Sequence, residues 1–164
     1  MGRAGLLALG LVLAAGGAVA QDGDVALGKQ VWMTQVNCKE CHGTMANGVQ
    51  DFPLAPQGAN LRTTMLNAEQ MIELVRCGKP ASEMPYFARN AWSGTNRCFG
   101  MTAATVGAAK PPEAGTFLAD RQISALVAMI FAEFVGKGAP TFEECVAFTG
   151  QESAKCREYP RRAN

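Results

Sequence analysis

The sequence predicts an all-α fold, and three features of the chain lead to this prediction. Apolar residues recur at helical spacing in three segments, at residues 24–37, 68–77 and 120–135. No segment shows the sustained two-residue alternation that is typical of a half-buried strand. The connections between the predicted helices are rich in glycine and proline, which interrupt regular structure.

The start of the chain has the pattern of an export signal. Arg3 is the only charged residue before residue 21, residues 6–20 are apolar or small, and residues 18–20 read Ala-Val-Ala. This order is typical of a secretory signal peptide. A retained anchor is the alternative, but the apolar stretch is shorter than the roughly 20 residues that a membrane-spanning helix needs. We therefore expect cleavage after Ala20, a periplasmic location, and one mature domain over residues 21–164.

The charge of the chain is balanced, which bears on its partners. The sequence has 15 basic and 14 acidic residues and a net charge of +1. No long run of like charge occurs, although such runs are typical of chains that bind nucleic acid or anionic membranes. We expect neither nucleic-acid binding nor strong membrane binding.

Boundary signals are clearest for the helix predicted at residues 68–77. Asn67, followed three residues later by Gln70, predicts a capping box at its start. Gly78 and then Pro80 predict its end. By contrast, the long connection that precedes this helix has no periodicity, and a connection of that length inside a domain is usually functional.

Similar signals predict the later helices. The helix at residues 120–135 carries an apolar stripe and is followed by Gly136. Thr141 and Glu144 then predict a capped short helix that carries Cys145.

The chain contains one motif whose spacing indicates a specific chemistry. Cys38, Cys41 and His42 form the sequence C-x-x-C-H, which reads as a c-type haem attachment site. The two thiols can reach the vinyl groups on one edge of the porphyrin, and the histidine next to them can then ligate the iron. A zinc site would need more ligands, but His42 is the only histidine. A thioredoxin-like pair would need a βαβ context, which is not found. We therefore expect one covalently bound haem c.

The remaining cysteines are even in number, as expected for an exported chain with disulfides. Three pairings are open to Cys77, Cys98, Cys145 and Cys156. We favour the bridges Cys77–Cys98 and Cys145–Cys156, because each would enclose a segment that is otherwise weakly anchored.

The order helix, C-x-x-C-H, loop, helix, Met-Pro, helix resembles the class I cytochromes c over about residues 24–136. The matching stretches are Gly28-x-x-x-Trp32, Cys38 to Gly43, Ala59-Asn60-Leu61, and residues 72–87, which read IELVRCGKPASEMPYF. The resemblance implies a cytochrome c-like helical fold around one covalent haem. It also implies a close crossing of the first and last helices at Gly28. Residues 88–117 would be an insertion after the methionine ligand loop, and residues 137–164 a disulfide-stapled extension.

The resemblance also implies the ligands of the iron. His42 would be one ligand and Met84, on the Met-Pro loop, the other; Met101 and an open sixth position remain alternatives. In the family a proline carbonyl accepts a hydrogen bond from the ligating imidazole. We expect Pro53 in that role, with Pro56 as the alternative.

A haem with two fixed ligands predicts electron transfer between redox partner proteins. The donor would be a protein such as a periplasmic dehydrogenase, and the acceptor another cytochrome or an oxidase. We expect no enzymatic activity, since no acid–base pair or Ser-His-Asp set is visible. One alternative is a five-coordinate or labile-methionine haem protein that binds or reduces a small ligand. Another is a fixed cytochrome subunit of a larger periplasmic oxidoreductase, docked through residues 88–117.

Overall fold

The structure, a computed structural model, describes residues 22–162, and this part of the chain is all-α as predicted. Its β-structure is limited to two isolated bridges, Tyr86 with Glu113 and Cys98 with Met101. No helix within residues 22–162 is long and apolar enough to cross a membrane. The predicted signal peptide lies outside the described residues.

Six α-helices and several short helical turns make up this fold. The α-helices are α1 (Asp22–Gln30), α2 (Lys39–His42), α3 (Ala68–Cys77), α4 (Ala103–Val106), α5 (Asp120–Glu133) and α6 (Phe142–Thr149). A π-helix at Val31–Gln35 continues α1, and 3₁₀ turns occur at Leu61–Thr63, Gly107–Ala109 and Cys156–Glu158.

Local signals set the bounds of α3 as predicted. The Asn67 side chain accepts from the Gln70 N–H, and the Gln70 side chain accepts from the Asn67 N–H, each at 2.9 Å. These two bonds satisfy backbone donors that the helix start would otherwise leave unpaired. At the start of α6, the Thr141 hydroxyl likewise accepts from the Glu144 N–H at 3.2 Å.

The first helix differs from the single regular helix predicted at residues 24–37. Its last turn widens, since the Val36 N–H donates to the Val31 carbonyl at 3.3 Å, a five-residue spacing. The chain then leaves the helix at Asn37, whose φ of 50° is a left-handed conformation that asparagine tolerates. This change of direction leads directly into α2.

α1 and α5 cross closely at Gly28, as the resemblance implies. A Cβ atom placed at Gly28 would lie 2.6 Å from the Met129 Cβ and would also collide with the Ala125 carbonyl oxygen. Only glycine fits this contact without displacing one of the helices. Near the crossing, the Trp32 ring packs against Phe134 at 5.4 Å, and Phe134 against Phe148 of α6 at 4.9 Å between centroids.

The structure pairs the cysteines as the sequence predicts. Cys77 at the end of α3 is bridged to Cys98, with 5.7 Å between the Cα atoms. Cys145 of α6 is bridged to Cys156, with 5.4 Å between the Cα atoms. The first bridge closes a stretch without helices, and the second joins α6 to the 3₁₀ turn at Cys156–Glu158.

A buried arginine connects the C-terminal extension to the rest of the fold. Arg62 is 2% exposed. Its guanidinium donates to the carbonyls of Met45 at 3.2 Å and Lys137 at 3.4 Å, to the Gly138 carbonyl, and to both carboxylate oxygens of Glu144 at 2.8 and 3.0 Å. Three separate segments are therefore joined by one side chain.

We predict that Arg62→Met lowers the free energy of unfolding by about 3–5 kcal/mol, because it leaves a largely buried carboxylate and several carbonyls unpaired. The matched control is Arg157→Met, whose partner Glu152 lies 3.2 Å away in an exposed pair. We expect that change to cost about 0–1 kcal/mol. Urea unfolding measures the free energy of unfolding of both variants. If both lose the same free energy, the role given to Arg62 is contradicted.

Candidate haem-attachment site

The residues of the C-x-x-C-H motif lie together on α2. Cys38 begins the helix, and its carbonyl accepts from the Cys41 N–H at 3.3 Å and from the His42 N–H at 3.0 Å. Cys38 is three residues from Cys41 and four from His42, so all three residues lie within about one turn of α2. Cys38 and Cys41 are free thiols, whereas the other four cysteines are in disulfides.

The His42 imidazole is oriented by a backbone carbonyl. Its Nδ1–H donates to the Ala59 carbonyl oxygen at 2.9 Å. This bond leaves the Nε2 lone pair available to a metal, which is the arrangement usual for metal-ligating histidine. Burial lowers the pKa of His42, against an opposing effect of the Ala59 hydrogen bond. The neutral imidazole needed for metal ligation is therefore favoured.

The expectation that Pro53 or Pro56 supplies this carbonyl is wrong. Both prolines are exposed and lie farther out on the loop. The chain between residues 49 and 57 first folds back along α2 and reaches the imidazole only afterwards. Sequence distance from the motif therefore did not indicate which carbonyl would face His42.

The loop is held in place by the carbonyl groups at the end of α2. Four of its N–H groups donate to carbonyls of this helix: Gly48 to His42 at 2.9 Å, Asp51 to Lys39 at 3.3 Å, Phe52 to Glu40 at 3.4 Å, and Gly58 to Cys41 at 2.8 Å. A helix end leaves carbonyls without internal partners, and the loop satisfies those of Glu40, Cys41 and His42. The Lys39 carbonyl also accepts from the Gly43 N–H at 2.8 Å.

Gly58 brings the backbone directly against the imidazole. A Cβ atom at this position would lie 2.6 Å from the Nδ1 of His42 and 2.8 Å from its Cγ. The Trp32 ring also lies near His42, with 6.1 Å between centroids, and its N–H donates to the Thr44 carbonyl at 3.2 Å. Sequence reasoning did not identify Gly58 as a site residue, although it directly precedes the recognised stretch Ala59-Asn60-Leu61.

The surroundings of the two thiols favour their protonated form, because they raise both pKa values. Burial raises the pKa of Cys38 to about 12. Burial and, to a lesser extent, the charge of Glu40 raise the pKa of Cys41. Reactive or metal-binding cysteines usually have the opposite shift, toward the thiolate. Among residues 22–162, no group of three or more His, Cys, Asp or Glu side chains is placed to hold a metal ion.

The structure places Met84 on a separate segment that follows α3. Its backbone N–H donates to the Ser82 hydroxyl at 3.3 Å, and its carbonyl accepts from the Lys79 N–H at 3.2 Å, which closes a loop of six residues. The Met84 side chain is half-buried and packs against the apolar core. Met101, the alternative ligand, is also half-buried and forms a bridge with Cys98.

These features fit a covalent haem at its attachment side. Two free thiols and a neutral, oriented imidazole lie on one helical turn, and the loop after them is shaped to the imidazole. Comparison with protein-family models, characterised proteins and solved structures finds no match for this chain.

We predict that Gly58→Ala lowers the free energy of unfolding by about 1–3 kcal/mol, because the added methyl group must displace the imidazole or the loop. Gly115→Ala is the matched control, since a Cβ atom there has nothing within 4 Å and φ is not positive. We expect that control to be neutral or slightly stabilising. Chemical unfolding of both variants measures the change in the free energy of unfolding. If Gly58→Ala does not lower it, the described contact with the imidazole is contradicted.

Proposed function

We propose that this chain is a periplasmic monohaem c-type cytochrome that carries single electrons between redox partner proteins. The observation that carries the proposal is the arrangement on α2: two free thiols at Cys38 and Cys41, with His42 beside them and its Nδ1 held by the Ala59 carbonyl. The two disulfides support an exported, oxidising location for the mature domain.

Each residue of the motif has a separate task in this proposal. Cys38 and Cys41 hold the haem through thioether bonds, and His42 ligates the iron through Nε2. Haem c supplies a one-electron couple at its iron when it is bound. The protein's part is to fix the ligands, exclude water and set the potential.

Met84 is proposed as the second iron ligand. The following Pro85 restricts the backbone at this residue, and the hydrogen bond between Lys79 and Met84 closes the loop. A thioether is a soft ligand that favours the ferrous state and raises the reduction potential relative to a second imidazole. Two fixed ligands leave no open position for a substrate, which favours electron transfer over catalysis.

The partners are proposed to be redox proteins, such as a dehydrogenase as donor and a cytochrome or oxidase as acceptor. The near-zero net charge favours a contact that is small and largely apolar rather than one steered by opposite charges. Transient redox encounters of this kind commonly bury less than about 1,200 Å².

We predict one haem per chain, attached through two thioether bonds. In protein produced with the machinery for haem attachment, the haem should remain on the chain through denaturation and acid–acetone extraction. Peptide mass spectrometry should place its links at Cys38 and Cys41, and Cys38→Ala should lose one link. The control Cys145→Ser/Cys156→Ser should keep both. A haem that extracts from the wild type would overturn the proposal.

We predict that Met84→Ala removes one ligand of the iron and leaves that coordination position free. The reduced wild-type protein should not bind carbon monoxide. Its haem iron should be oxidised and reduced reversibly at a positive potential. Met84→Ala should bind the gas and fall in potential, because the iron loses its thioether ligand. The controls are Met101→Ala, the alternative ligand, and Met65→Ala, whose side chain is 95% exposed.

Both controls should behave as the wild type does. If Met101→Ala binds carbon monoxide and Met84→Ala does not, Met101 and not Met84 is the iron ligand. Rapid gas binding by the wild type would favour a small-ligand protein over an electron carrier.

A further inference from the structure

The loop that carries Met84 is covered by a segment of the insertion. We call residues 79–86 the ligand loop and residues 109–114 the backing segment. Three backbone hydrogen bonds join them: Ala81 N–H to the Ala109 carbonyl at 2.8 Å, Tyr86 N–H to Pro112 at 3.1 Å, and Ala114 N–H to Tyr86 at 3.2 Å. The first bond lies before Met84 in the chain and the other two lie after it, so the backing segment spans the methionine.

Side chains reinforce this pairing at Tyr86. The Tyr86 hydroxyl donates to the Glu113 carboxylate at 2.8 Å, and the tyrosine is 5% exposed. The Lys110 ammonium lies 5.6 Å from the centroid of the tyrosine ring, and the Phe117 ring lies 6.2 Å away. Only Pro85 separates Tyr86 from Met84, so a fixed tyrosine also restricts the methionine.

The base of the ligand loop is equally close to the backing segment. A Cβ atom at Gly78 would lie 2.8 Å from the Pro111 Cβ and 2.7 Å from the Tyr86 N. Pro111 is itself fully buried. Gly78 has a φ of 67°, which glycine adopts without strain, and this turn brings the two segments together.

The insertion is anchored on both sides of the ligand loop. The disulfide from Cys98 fixes it to the end of α3 at Cys77. At its far end, the Leu118 N–H donates to the Phe87 carbonyl at 2.9 Å. The backing segment is therefore a firm support, and opening the ligand loop requires breaking contacts with it.

We propose that residues 109–114 position Met84 on the iron, with Tyr86 and Glu113 as positioning residues that latch the ligand loop. This inference rests on the proposed function. Local opening of a segment depends on the contacts that hold it, so a weaker latch raises the fraction of molecules in which the methionine is detached. A hydrogen bond to a charged group is strong enough for its loss to change that fraction about tenfold.

The test uses the haem-loaded full chain in its oxidised form. Two quantities are measured: the weak red absorption band that reports the bond between iron and the methionine sulfur, and the rate at which added imidazole displaces that ligand. Tyr86→Phe and Glu113→Ala should each keep the band and bind imidazole about tenfold faster. The double variant should bind it no faster than either single variant, because both remove the same bond.

Two further variants separate positioning from general stability. Glu113→Gln retains an oxygen that accepts from the tyrosine, so its rate should stay close to that of the wild type. Tyr159→Phe is the matched control: this tyrosine is also buried, but its hydroxyl makes no hydrogen bond to a side chain among the described residues. Its rate should be unchanged.

The outcomes distinguish this inference from the proposed function. If the wild type lacks the red band, Met84 ligation fails and the positioning role fails with it. If the wild type has the band but Tyr86→Phe and Glu113→Ala bind imidazole at the wild-type rate, only the positioning role is overturned. An equal acceleration by Tyr159→Phe would likewise assign the effect to global stability and overturn the latch.

Discussion

The hydrogen bond between the His42 Nδ1–H and the Ala59 carbonyl constrains much of the chain around α2. Its geometry requires the backbone to approach the ring at Gly58, where a side chain would collide with the imidazole. The loop that delivers this backbone folds back on α2 and satisfies carbonyls that the short helix leaves free. A four-residue helix has little stability of its own, so the loop and the motif stabilise each other.

The C-terminal extension also stabilises the loop beside α2. Asp51, on the loop beside α2, accepts from the backbone and the hydroxyl of Thr44 at 3.1 and 2.5 Å. Its carboxylate also lies 3.4 Å from the Lys155 ammonium of the extension. Together with the buried Arg62, this ion pair fixes residues beyond α5 to the loop that orients His42. The extension thus contributes to the candidate site, although its sequence gave no such indication.

Local signals in the sequence predicted local structure well. The capping box at Asn67 and the glycine at residue 78 gave the bounds of α3, because both act within a few residues. The disulfide pairing was also predicted, because each of these four cysteines is bridged to one that is next to it in sequence order. The carbonyl that accepts from His42 was not predictable in this way. The sequence led us to expect the carbonyl of Pro53, but the path of the loop depends on hydrogen bonds to α2 that no local signal encodes. The role of Arg62 depends in the same way on contacts more than seventy residues away.

The two sides of the proposed haem site differ in how the chain secures them. On the histidine side, the attachment residues are contiguous, so covalent bonds and one helical turn would fix the ligand. On the methionine side, the ligand would be held by a weak bond on a loop, and its position would depend on contacts distant in sequence. The disulfide at Cys98 and the segment around Glu113 lie on this second side. The insertion therefore lies against the loop that carries the proposed methionine ligand, and holding this loop in place would give residues 88–117 a role within the chain itself.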